Sequence, residues 1–171
     1  MSTGAEEISD GLVALLPRLR RFARALSRNQ HDADDLTQAA VERALRGAAQ
    51  FRAGANLASW MFGIMKNAWI DARRAHARRG EVPLPEDSGE HPAVSPADTN
   101  VNLWSVSEAM SKLPEDQRLA VALVLVEGMS YKEAAAVLEV PIGTLTSRLA
   151  RGRGALAAAL AGDASNSGGP R

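Results

Sequence analysis

Arg148, Arg151 and Arg153 stand in a run, Pro141 to Gly162, that contains no acid. At helical spacing that run places Leu145, Leu149, Leu156 and Leu160 on one side. Thr144, Ser147 and Arg151 fall opposite, with Arg148 on one flank and Thr146, Ala150 and Arg153 on the other. Guanidinium groups and small hydroxyls on one face, with no carboxylate to repel phosphate, can hydrogen-bond base edges in a major groove. The plain alternative is a solvated basic face that favours the helix dipole. Bond-making chemistry has no such constellation. His31, His76 and His91 are scattered, cysteine is absent, and no glycine-rich loop is spaced to cradle a phosphate. No enzyme, metal site or cofactor is therefore expected.

The face needs a helix held at an angle to another, and the preceding residues supply one. Pro114 suits the first turn of a helix that Gly128 ends, with Leu119, Leu123 and Val126 inside. Ser130 with Glu133 three residues on forms a capping box for the next helix. Val140 and Pro141 break the chain before a last helix from about Gly143 to Leu160. A short helix, a tight turn and a longer helix make a helix-turn-helix. A further short helix over Val101–Lys112 precedes it.

Upstream, Leu12, Leu15, Leu16, Leu19, Phe22, Ala23 and Leu26 recur at three- and four-residue spacing, marking one apolar helix face. A second helix, capped by Asp32 or Asp34, runs to about Arg46 and carries Asp35, Gln38 and Glu42 on one face. Asn56 caps a third helix ending near Arg79, with Leu57, Trp60, Met61, Ile64, Met65 and Ala68 as its buried stripe. Trp60 is expected to fill core rather than stack a base, while Trp69 lies off the stripe. Asn67 and Asp71 share a face, with an internal bond to Arg74 as the alternative to a DNA contact.

The chain has 171 residues and no net formal charge, but the charge is segregated. Residues 1–79 carry 13 basic and 8 acidic side chains, whereas 80–104 hold five acids and no lysine or arginine. Local clusters rather than the total decide whether polyanions bind. The acidic strip, with four prolines, reads as a flexible linker between two small helical domains, so the fold class is all-α. The boundaries are 1–80 for the first unit, 81–103 for the linker, 104–162 for the second unit and 163–171 for a disordered tail. No apolar run is long enough to span a bilayer, which makes a cytoplasmic protein the expectation.

The run LPEDQRLAVALVLVEGMSYKEAAAVLEVPIGTLTSRLARGRGAL resembles the fourth conserved region of the extracytoplasmic-function (ECF) RNA polymerase sigma factors. DADDLTQAAVERAL is similar to their polymerase-binding segment, and NLASWMFGIMKNAWIDARRAHAR to the helix that follows. The resemblance implies sigma domain 2 and sigma domain 4, and a function spacing cannot supply. Such a protein binds core RNA polymerase, at the largest-subunit clamp helices and the flap, and directs it to promoter DNA. It implies Asp35, Gln38 and Glu42 as the polymerase contact, with Ala39 where the family often has an acid. It implies a −10 reader built from Arg52, Gly54, Asn56, Ser59, Lys66 and Arg74. The −35 reader would be Thr144, Thr146, Ser147, Arg148, Arg151 and Arg153, with Thr146 standing where a basic residue is common. It further implies an anti-sigma factor as partner, a role in a stress or envelope response, and no membrane insertion. The linker acids could mimic nucleic acid. Two other readings are a helix-turn-helix regulator acting without polymerase and an adaptor that sequesters an anti-sigma factor.

Overall fold

The apolar recurrence of the first segment becomes the inner face of α1, Thr3–Leu26, in a computed structural model that describes residues 3–80 and 106–166. Leu12, Leu19, Phe22, Ala23 and Leu26 are buried, and Leu15 is partly so. Pro17 sits inside α1 and withholds one backbone donor without ending the helix. Helix α2, Gln30–Arg46, starts two residues before the expected acids. Asn29, in extended conformation, accepts from the Asp32 N–H at 2.8 Å. Asp32 is therefore not the cap: it lies in the first turn, where its charge suits the dipole. A 3₁₀ turn, Ala48–Gln50, leads to α3, Leu57–Arg78. Asn56 caps α3 as expected, accepting from the Ser59 N–H at 3.1 Å.

The buried stripe of α3 differs from the expected one. Met61, Met65 and Ala68 are inside, but so are Phe62, Lys66 and Trp69, while Leu57, Trp60 and Ile64 are only partly covered. The physical reason is that α3 is covered on two sides, by α1 and α2 and by a helix of the second unit. Phe62 meets Phe22 edge-on with ring centres 5.0 Å apart. Trp60 leans on Phe51 at 5.1 Å, consistent with packing rather than base stacking.

The first described element of the second unit is α4, 106–112. Residues 101–105 of the expected short helix, and the linker 81–103, lie outside the described residues. Helix α5 spans Glu115–Val121, with Pro114 as its N-cap rather than its first helical residue. It does not continue as α-helix to Gly128. Ala122–Val126 form a π-helical turn, closed by the Glu127 N–H donating to the Ala122 carbonyl at 3.0 Å. Gly128 follows at φ +69°, a left-handed conformation that suits glycine. Helix α6, Tyr131–Leu138, carries the expected capping box: Ser130 N–H donates to Glu133 at 3.0 Å, and Glu133 N–H to Ser130 Oγ at 3.2 Å. After Glu139 in left-handed conformation the chain enters α7, Ile142–Asn166, so the helix runs past the expected tail boundary at 163.

Gly152 of α7 lies against α5. A Cβ there would stand 2.7 Å from Val121 Cγ2 and 3.3 Å from the Gln117 carbonyl oxygen. The missing side chain lets the two helices approach, which sets the tilt of α7. Leu145 and Leu149 are buried below it, Leu156 is partly buried, and Leu160 is intermediate. No strand occurs among the described residues. The two units are packed together, and one apolar cluster runs from Leu19, Phe22 and Met65 through Leu123, Leu138 and Leu145.

Candidate nucleic-acid interface

Helix α7 projects Thr146, Ser147, Ala150, Arg151 and Arg153 into solvent, while Thr144 and Arg148 are half-buried. The buried leucines below and the close Gly152 contact hold this face outward. Thr146 donates its hydroxyl to the Ile142 carbonyl one turn back at 2.8 Å, so its remaining capacity is as an acceptor. Arg148 does not stand alone: its Nε is 3.2 Å from an Asp116 carboxylate oxygen of α5. That pair orients the guanidinium at the edge of the exposed face. Among the described residues no carboxylate pairs with Arg151 or Arg153, and both are exposed.

In the first unit, Arg52, Gly54 and Asn56 are exposed on the loop before α3, and Ser59 is half-buried at the start of the helix. Gly54 adopts φ +82° with open space around it, so backbone can come close to a ligand there. The Asn56 side-chain oxygen is engaged by the cap, which leaves its amide NH₂ as the group able to reach a base. Arg74 is exposed. Asp71 does not bond Arg74; it pairs with Arg43 of α2 at 2.9 Å. Arg43, Gly47, Gln50, Trp60, Ile64 and Asn67 line a hollow of about 200 Å³ next to this loop. Its lining mixes Arg43, Gln50 and Asn67 with the apolar side chains of Trp60 and Ile64.

Lys66 is placed differently from the other −10 candidates. Its ammonium donates to the Val137 carbonyl at 3.1 Å and pairs with Glu139 at 3.2 Å, both at the end of α6. Sequence reasoning had no signal for this, because the partners are more than seventy residues away. It also missed Arg118, which is buried and donates to the carbonyls of Leu26 at 3.1 Å, Ser111 at 2.6 Å and Leu113 at 2.9 Å. Burial first, then the nearby Arg73 and Arg28 charges, lower its pKa to about 10, against the raising effect of Glu115. Trp69, off the stripe in the sequence, has Arg118 over its ring at 5.7 Å and Arg73 at 5.5 Å.

Asp35, Gln38 and Glu42 do share an exposed face of α2. His31 is 3.3 Å from Asp35, and Gln38 donates to Glu42 at 3.1 Å. Beside them a cleft of about 540 Å³ opens between α1 and α2, lined by Leu16, Arg20, Arg24 and Val41 among others. Among the described residues no group of histidines and carboxylates could hold a metal ion, and no helix is long and apolar enough to cross a membrane.

A helical bundle carrying an exposed polar helix, packed on a helix-turn-helix with an outward arginine face, is the architecture of a DNA-reading protein. Comparison with known proteins makes this specific. Residues 12–66 match the family described as the Sigma2 domain of PhyR, and residues 103–156 match Sigma-70, region 4. The chain is 38% identical over 167 residues to the ECF RNA polymerase sigma factor EcfG of Rhodopseudomonas palustris, covering 96% of this chain and 91% of that one. The protein belongs to the ECF RNA polymerase sigma factors. Its fold is similar to the sigma factor RpoE in complex with the anti-sigma factor NepR from Bartonella quintana. That match has a TM-score of 0.77 and 32% identity, and covers 91% of this chain and 97% of that one. It is also similar to CnrH in complex with the cytosolic domain of CnrY, with a TM-score of 0.68 and 25% identity over 95% of each chain.

Proposed function

We propose that this chain acts as an alternative sigma factor: it binds core RNA polymerase, directs it to a promoter, and is held in reserve by an anti-sigma factor. The observation that carries the reading is the pairing of an exposed, acid-free face on α7 with an exposed acceptor face on α2, in one chain of the family. Asp35, Gln38 and Glu42 meet the basic clamp helices of the largest polymerase subunit, and the second unit rests on the flap. Arg52, Gly54, Asn56, Ser59, Lys66 and Arg74 track and read the melted −10 strand, which needs positive charge along a backbone and donors at an unstacked base. Thr144, Thr146, Ser147, Arg148, Arg151 and Arg153 read the −35 duplex from the major groove. The protein performs no bond chemistry of its own and works in the cytoplasm. Support for an anti-sigma partner comes from the RpoE match, which runs through both units and belongs to a complex with the anti-sigma factor NepR.

Run-off transcription tests the whole reading, using purified core polymerase and a library of promoter sequences with and without the protein. Initiation that depends on bases at both −10 and −35 is the expected result. Duplex binding with no polymerase binding would replace it with a plain helix-turn-helix regulator. Binding to core without initiation would point to a sequestering adaptor.

A further inference from the structure

Two arginines of the exposed α7 face are treated differently by their surroundings. Thr144, Arg148 and Arg151 follow one another at four- and three-residue spacing and so form one row along the helix. Among the described residues no carboxylate pairs with Arg151, but Arg148 has Asp116 of α5 at 3.2 Å from its Nε. Asp116 is itself fixed. It lies in the first turn of α5, where its Oδ1 accepts from the Gln117 N–H at 2.9 Å, and its Oδ2 is the oxygen that meets the guanidinium. One turn beyond Arg148, Gly152 lies against Val121 and the Gln117 carbonyl, which sets the spacing of the two helices at this level. Both partners belong to the second unit, so the pair moves with that unit as a whole.

We propose that Asp116 is a positioning residue for promoter reading: it holds Arg148 by the Nε edge and so commits the guanidinium to meet a guanine end-on. This rests on the proposed reading of α7 as the −35 helix. A guanidinium can grip guanine N7 and O6 through Nε and one terminal nitrogen, or through both terminal nitrogens. With a carboxylate on Nε the first grip is closed, and Nη1 and Nη2 are the donors left. The carboxylate also changes what the arginine does for affinity. A free arginine attracts any phosphate, whatever the sequence, and displaces a counterion as it binds. Paired to Asp116, Arg148 adds little to that indiscriminate attraction while keeping its directed donors. Half-buried and tethered, it also has less rotamer freedom to lose on binding than a free side chain. Asp116 does not touch DNA; it acts through Arg148.

The test uses the full chain assembled with core polymerase and a promoter library randomised across the −35 element, scored by sequencing the transcripts. Asp116→Asn is the clean perturbation, since an amide oxygen can still accept from Gln117 while the charge on Nε is lost. It should lower the preference for guanine at one base pair by about tenfold, part of what a bidentate arginine supplies, and leave the other positions alone. Binding to promoters with a scrambled −35 element should tighten in the same variant, because a negative charge has gone. Mere support of the fold would instead weaken both, and that result overturns the proposal. Arg148→Lys, which keeps the charge without the fork, should lose the same base pair. Adding Asp116→Asn to Arg148→Lys should then change no preference further. An unchanged profile in Asp116→Asn, a uniform change across all sequences, or a further loss in the double variant overturns the proposal. A wild-type profile flat at every −35 position removes the assignment of α7 and this inference together. A profile that responds to Arg151→Ala but not to Arg148→Lys removes this inference alone.

Discussion

Gly152 and Gly154 stand two residues apart on α7, and the same substitution at each should act with opposite sign. Glycine within a helix costs about 0.5–1 kcal/mol relative to alanine, so Gly154→Ala, with nothing within 4 Å of its added Cβ, should stabilise by about that amount. At Gly152 the same gain is opposed. The new methyl would lie 2.7 Å from Val121 Cγ2, a β-branched side chain with little rotamer freedom, and 3.3 Å from a backbone oxygen. Neither atom can step aside cheaply. Overpacking of this kind costs roughly 1–3 kcal/mol, which outweighs that gain and leaves Gly152→Ala destabilised by up to about 2.5 kcal/mol. Gly11 makes a useful contrast, because its Cβ would meet only the movable end of Leu57. Thermal unfolding followed by circular dichroism reads the difference, at roughly 2–4 °C per kcal/mol for a chain of this size. Gly152→Ala should also weaken −35 duplex binding, since α7 must tilt to relieve the clash, whereas Gly154→Ala should leave it unchanged. Two variants that shift together, in either direction, would refute the claim that close approach to α5 sets the tilt of the recognition helix.

Arg151→Ala should cost about 1–3 kcal/mol of discrimination and relax specificity at one base pair, as read by competition binding with −35 duplex variants. Uniform weakening across sequences would make Arg151 a phosphate contact. Asn29→Ala removes the α2 cap and should lower stability by about 1 kcal/mol, measurable by urea unfolding, while Asp34→Ala should not. The Ser130 backbone N–H, then its hydroxyl, hold the Glu133 carboxyl below the usual carboxylate range. A depressed folded-state pKa contributes stability that is present above the unfolded value, about 4.3, and is lost as pH falls through the folded value. Glu133→Gln keeps the cap geometry without the titration, so its melting temperature should fall less than that of wild type between neutral and acid pH.

Several features of the fold were legible because they are local. The spacing of Leu12, Leu19, Phe22 and Leu26 marked the buried face of α1, and Asn56 and the Ser130–Glu133 pair announced their helices within four residues. Where two local signals compete the sequence is ambiguous: Asp32 and Asp34 suit a cap by residue type, but Asn29 starts α2. The π turn was invisible because Ala120–Val126 is apolar throughout and so has no phase to read. Phe62 and Trp69 were missed for a related reason, since a helix covered on two sides has no single stripe. The exposed candidates on α2 and α7 could be placed from helical spacing alone. Lys66 could not, because its partners, like the Arg18–Glu127 pair 109 residues apart, are brought together only by the packing of one unit on the other.

The apolar cluster that threads both units has a thermodynamic corollary. Two separate helical domains on a tether would melt independently, each with a small enthalpy and a broad transition. A shared interior binds their fates, so the closed chain should unfold in one step, with calorimetric and van't Hoff enthalpies in agreement. Prising the units apart would divide that single event into two shallower ones. A core substitution such as Leu145→Ala, beneath the recognition helix, would then be felt as far away as α1 in the closed chain and nowhere beyond α7 and its neighbours in the open one.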